Sequence, residues 1–161
     1  MKPLIKICGI ADEDNLIKLT KIEKINFLGF IFYEQSPRNA TGELINSISH
    51  IDFKNKRAVC VYVNADKEFI EETSSYFVNP ILQFHGDETN AFCKSFKKDF
   101  WKVIRVKDDE SMNFVNDYPD ASGILFENYE NGLYGGTGNS FDWNLMNNVK
   151  DLDIKIILSG G

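Results

Sequence analysis

Short apolar runs alternate along the chain with segments of helical spacing. Runs of four to seven mostly apolar residues predict seven β-strands, at 4–8, 27–32, 58–63, 81–84, 101–106, 123–126 and 154–158. Between most of these runs, apolar residues recur three or four positions apart. The segments that follow Asp12 and Asp66, two residues suited to helix caps, show this spacing and predict helices. Strands and helices are therefore expected to alternate.

The predicted sheet is parallel, because runs such as 58–63 are apolar on both faces, as strands covered by helices or filling a barrel must be. Two architectures fit this alternation, an open doubly wound sheet and a (βα)8 barrel. The length favours the open sheet, since complete barrels usually need at least about 200 residues. The number of strands favours the barrel, and the first turn, after Cys8, lacks the glycine fingerprint of a dinucleotide site. We therefore expect an α/β chain of the (βα)8 TIM-barrel class.

Length, charge and cysteine content narrow the possible classes of protein further. A chain of 161 residues without linker or low-complexity segment predicts a single domain over 1–161. The net charge of −6 disfavours nucleic acid and anionic membranes as general partners but is compatible with a small anionic substrate. Cys8, Cys60 and Cys93 have no paired spacing, so reduced thiols are expected, with no disulfide framework and no zinc site. With no long apolar segment and no leader, the expected location is the cytoplasm.

Polar residues follow several of the predicted strands at their carboxyl ends, where α/β enzymes place their chemistry. They include Cys8, Arg38, His85, Arg105, Glu127 and Gly160-Gly161. Two interpretations of Cys8 stay open: a structural core cysteine, or a thiolate that acts as base or nucleophile and is favoured by nearby positive charge. Strand order makes Lys6, Arg38 and Arg105 the candidate cationic neighbours of the thiol.

The other polar candidates also have two interpretations each. Arg38 is either a solvent-exposed charged residue of a loop or a residue that binds a carboxylate through two parallel hydrogen bonds. His85 is either structural or a substrate contact, and Glu127 is either a surface residue or a general acid at the end of its strand. The glycine-rich segment 135–138 is either a flexible loop or a place where backbone N–H groups approach an anion.

Taken together, six segments of the chain resemble phosphoribosylanthranilate isomerase of tryptophan biosynthesis, in the right order and over the whole length. They are Lys6-Ile7-Cys8-Gly9-Ile10, Gly29-Phe30-Ile31-Phe32-Tyr33 through Ser36-Pro37-Arg38, Val61-Tyr62-Val63-Asn64, Gln83-Phe84-His85-Gly86-Asp87-Glu88, Tyr134-Gly135-Gly136-Thr137-Gly138 with Phe141-Asp142-Trp143, and Ile157-Leu158-Ser159-Gly160-Gly161. Each segment alone is weakly specific, but the ordered set is strongly specific.

The resemblance implies a (βα)8 barrel that isomerises N-(5-phosphoribosyl)anthranilate by an Amadori rearrangement, without metal or cofactor. In the family an acid protonates the furanose ring oxygen, and a cysteine then removes the C2′ proton from the resulting Schiff base. By position, the resemblance implies that Cys8 is the base, that Glu127 is the acid and that Arg38 binds the anthranilate carboxylate. Further substrate-binding positions are His85, Gly135, Gly136, Gly160 and Gly161.

Two departures from the family pattern qualify these expectations. Glu127 stands where the family normally has aspartate, so its carboxyl lies one methylene farther out. The sequence ends at Gly161, where the seventh strand ends, and lacks the family's last βα unit. We therefore expect a truncated chain with little activity by itself, an incomplete phosphate site, and self-association through open barrel edges.

Two other functions are weighed against the isomerase. One is a non-catalytic truncated barrel that acts as a phosphate-ligand binding or assembly module, which Glu127 and the missing eighth strand would suit. The other is a different sugar-phosphate barrel isomerase, which the presence of both Cys8 and Arg38 disfavours. The leading hypothesis remains phosphoribosylanthranilate isomerase.

Overall fold

The computed structural model describes residues 2–129, 143–149 and 154–159 of the chain. Seven strands are present in these ranges: β1 Ile5–Cys8, β2 Ile25–Phe32, β3 Arg57–Tyr62, β4 Ile81–Phe84, β5 Phe100–Val106, β6 Gly123–Asn128 and β7 Lys155–Leu158. All seven predicted strands are confirmed, with no end displaced by more than two residues. The apolar runs therefore located the sheet correctly.

Helices separate most of the strands. They are α1 Glu13–Thr20, α2 Gly42–Ile48, α3 Lys67–Ser75 and α4 Asn90–Lys94, together with the 3₁₀ helices Asp109–Asp117 and Trp143–Asn148. Asp12 caps α1 as predicted, because its carboxylate accepts a 2.8 Å hydrogen bond from the backbone N–H of Asn15. Asp66 occupies the same position before α3 but makes no capping bond through its side chain.

The order of the strands distinguishes between the two predicted architectures. The strands follow one another in the sheet in the order of the chain, from β1 to β7. The pairs β1–β2, β2–β3, β5–β6 and β6–β7 are parallel. A doubly wound sheet reverses its strand order at a switch point, whereas a barrel keeps the order of the chain. The expected α/β barrel class is therefore confirmed.

The chain divides into two compact units, residues 1–82 and 83–161. The core of the first unit lies on β2 and β3, where five of the six residues of β3 are buried. Phe30 is fully buried, and its ring centroid lies 4.8 Å from that of Phe77. Burial along nearly all of β3 confirms that this strand is covered on both faces.

The second unit has its own core, built on β5 and β6. Its buried members are Ile104, Val106, Met112, Val115, Ile124, Phe126 and Val149. The 3₁₀ helix Asp109–Asp117 covers this cluster, and Asp108 caps that helix through bonds to the backbone and side chain of Ser111. The prediction of a single domain over 1–161 stays a prediction.

A membrane-spanning helix is not found within the described ranges, where every helix is too short and too polar to cross a bilayer.

Candidate active site

Cys8 is the last residue of β1, and Lys6 lies two positions earlier on the same face of that strand. The Lys6 Nζ donates a 3.1 Å hydrogen bond to the Cys8 Sγ. Cys8 is partly exposed. The thiolate is the reactive form of cysteine, and the Lys6 ammonium group lies within hydrogen-bond distance of this sulfur. The prediction that Lys6 is a cationic neighbour of Cys8 is confirmed.

Gly29 provides the space that this thiol–ammonium pair occupies. It lies on β2 directly beside Cys8 in the parallel register. A Cβ atom built on Gly29 would lie 2.9 Å from the Cys8 Sγ and 3.0 Å from the Lys6 Cε. Protein Cβ atoms do not approach other heavy atoms this closely without a shift, so glycine is required here for steric reasons.

Replacing Gly29 with alanine is therefore expected to displace the Cys8–Lys6 pair. Overpacking of this kind typically lowers the free energy of unfolding by about 1–3 kcal/mol. Urea denaturation measures this loss, and the rate of alkylation by iodoacetamide reports on the thiol. Gly42→Ala is the matched control, because a Cβ at Gly42 meets nothing within 4 Å. Equal stability and equal alkylation of the two variants would contradict the steric role of Gly29.

Arg38 approaches the end of β1 from the loop after β2. Its Nη1 donates a 3.2 Å hydrogen bond to the backbone carbonyl of Cys8. Gly9, which has a φ of +85°, allows this approach, because a Cβ there would lie 2.7 Å from the Arg38 Cδ. The loop is fixed by Asn39, whose Oδ1 accepts a 3.0 Å bond from the backbone N–H of Tyr33. Arg38 is thus held beside Cys8, with an exposed side chain able to meet a ligand.

The other two cysteines are core residues. Cys60 and Cys93 are both 0 % exposed. Burial raises the pKa of the Cys93 thiol to about 12, which keeps it protonated at neutral pH. Cys8 is therefore the accessible thiol of the three.

In the second unit, His85 and Glu127 form a buried pair. The His85 Nε2 and the Glu127 Oε2 lie 2.6 Å apart, and the two side chains are 10 % and 9 % exposed. A separation this short is that of a hydrogen bond between the imidazole and the carboxyl group. Glu127 lies near the carboxyl end of β6 as predicted, and it is a buried residue rather than a surface glutamate.

Arg105 lies next to this pair on β5, in register with Glu127 on β6. Its Nη2 lies 3.4 Å from the Asp87 Oδ1, and its guanidinium carbon lies 5.6 Å from the centroid of the Tyr129 ring. These contacts pair Arg105 with an acidic and an aromatic partner. A cationic residue thus borders the strand that carries Glu127.

Sequence reasoning missed the buried lysine of β5. Lys102 interrupts an apolar run and looked like an ordinary strand residue, yet it is 2 % exposed. Its Nζ lies 3.3 Å from the Glu88 Oε2, and both side chains are 3 % exposed. The signal in the sequence was a lysine inside an apolar strand. Its partners could not be predicted from that strand, because they come from another part of the chain.

A pocket of about 550 Å³ opens beside Lys102, Arg105 and Tyr118. Neither His85 nor Glu127 lines it.

Four of the predicted substrate-binding positions, Gly135, Gly136, Gly160 and Gly161, lie outside the described residues. Among the residues that the structure does describe, no three His, Cys, Asp or Glu side chains are grouped so as to hold a metal ion.

Sequence comparison places these features in a family. The family model described as N-(5'phosphoribosyl)anthranilate (PRA) isomerase matches residues 5–161. The chain is 38% identical to the N-(5'-phosphoribosyl)anthranilate isomerase of Nitrosomonas europaea, covering 100% of this chain and 75% of the relative. It is 36% identical to the enzyme of the same name from Pseudomonas fluorescens, covering 97% of this chain and 76% of the relative.

Structural comparison gives the same result. The phosphoribosyl anthranilate isomerase of Thermotoga maritima superimposes with a TM-score of 0.82 at 29% identity, over 98% of this chain and 77% of that chain. A further structure, of phosphoribosyl anthranilate isomerase in complex with reduced 1-(o-carboxyphenylamino)-1-deoxyribulose 5-phosphate, matches with a TM-score of 0.79 at 28% identity, over 98% of this chain and 75% of that chain.

The strand order and the polar residues at the strand ends define an enzyme of the parallel α/β barrel class. Within that class, the chain belongs to the N-(5'-phosphoribosyl)anthranilate isomerase family. It is therefore an isomerase of tryptophan biosynthesis, which confirms the leading hypothesis from the sequence.

Proposed function

We propose that the gene product to which this chain belongs converts N-(5-phosphoribosyl)anthranilate to 1-(2-carboxyphenylamino)-1-deoxyribulose 5-phosphate with Cys8 as the base and Glu127 as the acid. Family membership supports the reaction, and the 3.1 Å contact between the Lys6 ammonium and the Cys8 thiol carries the assignment of the base. The bound ligand of the related isomerase structure, reduced 1-(o-carboxyphenylamino)-1-deoxyribulose 5-phosphate, has the skeleton of the product proposed here.

The first step is the opening of the sugar ring. Glu127 in its acid form gives a proton to the furanose ring oxygen, the bond from that oxygen to C1′ breaks, and the anilino nitrogen supplies the electron pair that forms the protonated Schiff base. The contact with His85 supports this role, because a buried partner at 2.6 Å holds the carboxyl group in one orientation.

The second step is proton abstraction at C2′. The Cys8 thiolate takes this proton, and the electrons of the C–H bond move toward the nitrogen to give an enolamine. Lys6 supports the step because its ammonium group lies 3.1 Å from the sulfur that takes the proton. The enolamine then tautomerises to the C2′ ketone, as C1′ gains a proton and the C2′ hydroxyl loses one. Proton exchange with solvent restores the Glu127 acid and the Cys8 thiolate, so no oxidant or reductant is needed.

Arg38 is proposed to bind the anthranilate carboxylate. The bond from its Nη1 to the Cys8 carbonyl leaves other guanidinium N–H groups on the exposed side chain. Two of them can grip a carboxylate in parallel, which fixes the orientation of the ligand as well as its charge. The hydrogen bond to the Cys8 carbonyl fixes the guanidinium group of Arg38 next to β1, the strand that carries the proposed base.

The remaining expectations from the sequence stay predictions. His85, Gly135, Gly136, Gly160 and Gly161 are proposed substrate contacts, with the glycines directed to the phosphate. The reaction as written needs no cofactor. The cytoplasmic location and self-association through apolar strand edges are likewise predictions; Leu4, Ile5 and Ile7 around β1 are exposed.

An isomerase assay on the purified gene product tests the proposal. The expected result is loss of the anthranilate fluorescence of the substrate together with formation of the ketone product. Calorimetry with the reduced product analogue is the companion measurement. Binding of the analogue without turnover would contradict the proposal and favour the non-catalytic binding module.

A further inference from the structure

Lys102 holds the backbone on both sides of His85. It lies on β5 and is 2 % exposed. Its Nζ donates hydrogen bonds to the carbonyls of Phe84, at 3.4 Å, and Gly86, at 2.5 Å. These two carbonyls belong to the residues immediately before and after His85. One buried ammonium group therefore fixes the peptide segment from which the imidazole projects.

The surroundings of Lys102 keep its ammonium group in place. Glu88 supplies a carboxylate oxygen 3.3 Å from the Nζ, and the Tyr118 ring centroid lies 5.3 Å from it. The Tyr118 hydroxyl donates a 3.0 Å bond to the backbone carbonyl of Glu88. Burial lowers the pKa of Lys102, and the charge of Glu88 opposes that shift.

Stability alone does not explain why an ion pair of this kind is buried. Well-packed apolar residues often stabilise a core as well as a buried pair or better, because both charges must be desolvated. Lys102 does what an apolar residue cannot do, since it binds two backbone carbonyls at once. This geometry suits a residue that sets the position of its neighbours.

We infer that Lys102 is a positioning residue that fixes His85 and, through the 2.6 Å contact of His85 with Glu127, the carboxyl group of Glu127. The inference rests on the proposed role of Glu127 as the acid. Fixed carbonyls at Phe84 and Gly86 determine where the Cα of His85 lies and hence where its Nε2 points. A displacement of about 1 Å at a reacting group can cost on the order of 100-fold in rate.

The kinetic test removes the ammonium group while preserving the volume of the side chain. Lys102→Met is made alone and with Glu88→Gln, so that no unpaired carboxylate stays buried if the single variant folds poorly. The expected result for either variant is a fall in kcat of about 10- to 100-fold, with KM changed less than about threefold. An unchanged kcat in the folded double variant would overturn the inference.

A double-mutant cycle shows whether Lys102 acts through His85. In the His85→Ala background, adding Lys102→Met is expected to lower kcat by a further factor of less than about three. The reason is that the contact between His85 and Glu127, which Lys102 supports, is already absent. A full additional fall in that background would overturn the inference. Lys56→Met is the matched control, since Lys56 is also buried and donates to a backbone carbonyl, that of Thr20, but belongs to the first unit. Its kcat is expected to stay unchanged.

An NMR measurement tests the same inference without catalysis. The chain has two histidines, and the exposed His50 serves as an internal reference for His85. The imidazole ¹⁵N signals of His85 are expected to move in Glu127→Gln and in Lys102→Met with Glu88→Gln, while those of His50 stay in place. Movement in the first variant alone would overturn the inference. Because this result does not depend on turnover, it is separable from a failure of the proposed acid and base roles.

Discussion

Replacing Cys8 with alanine is expected to lower kcat for the isomerisation by about 10²- to 10⁴-fold, the range that one positioned base contributes. The reason is that alanine has no group that can take the C2′ proton, whereas the thiolate of cysteine can. The effect should appear in kcat, with KM changed little, because Arg38 and the rest of the substrate-binding residues are untouched. Steady-state fluorescence kinetics on the gene product and on the variant measure it.

Cys60→Ala is the matched control for this experiment. Cys60 is a buried cysteine at 0 % exposure, so its replacement is expected to affect stability rather than kcat. Iodoacetamide provides a parallel readout, since the partly exposed Cys8 should be alkylated first and the reduced product analogue should protect it. Turnover by Cys8→Ala equal to that of the unmodified protein would show that another group removes the proton.

The fold was largely predictable from the sequence because parallel strands are buried on both faces. A run such as 58–63 has no polar alternation, and β3 is buried at nearly every position. The helix caps were predictable for a similar local reason, as Asp12 shows. The end of α1 was less predictable from the sequence. Leu16, Leu19 and Ile22 are spaced three positions apart, but the helix ends at Thr20 and Ile22 is 47% exposed.

The candidate site was predictable where its contacts are local in sequence or along neighbouring strands. Lys6 lies near Cys8 because residues two apart share a face of a strand. The contact between His85 and Glu127 joins residues 42 positions apart, so no pattern in either segment predicts it. Lys102 is a second example, because its hydrogen bonds reach the carbonyls of Phe84 and Gly86, 18 and 16 positions earlier in the chain.

Glu127→Gln is expected to lower kcat by about 10²- to 10⁴-fold, because an amide has nearly the shape of the carboxyl group but cannot give a proton to the ring oxygen. Glu127→Asp retains an acid and shortens the side chain by one methylene. The 2.6 Å contact with His85 is then lost, and kcat is expected to fall by a smaller factor, on the order of 10- to 100-fold. Measuring kcat and KM for both variants ranks the two effects.

The ranking of these variants by kcat bears on the presence of glutamate at position 127, where the family pattern has aspartate. The family normally has aspartate at this position, and here the longer side chain ends in contact with a buried imidazole. If His85 and Glu127 are adapted to each other, aspartate is the poorer acid in this chain although it is the usual one in the family. A Glu127→Asp variant faster than the unmodified protein would show the opposite: that the backbone still places the acid for an aspartate, and that the contact with His85 draws the longer carboxyl group away from the substrate.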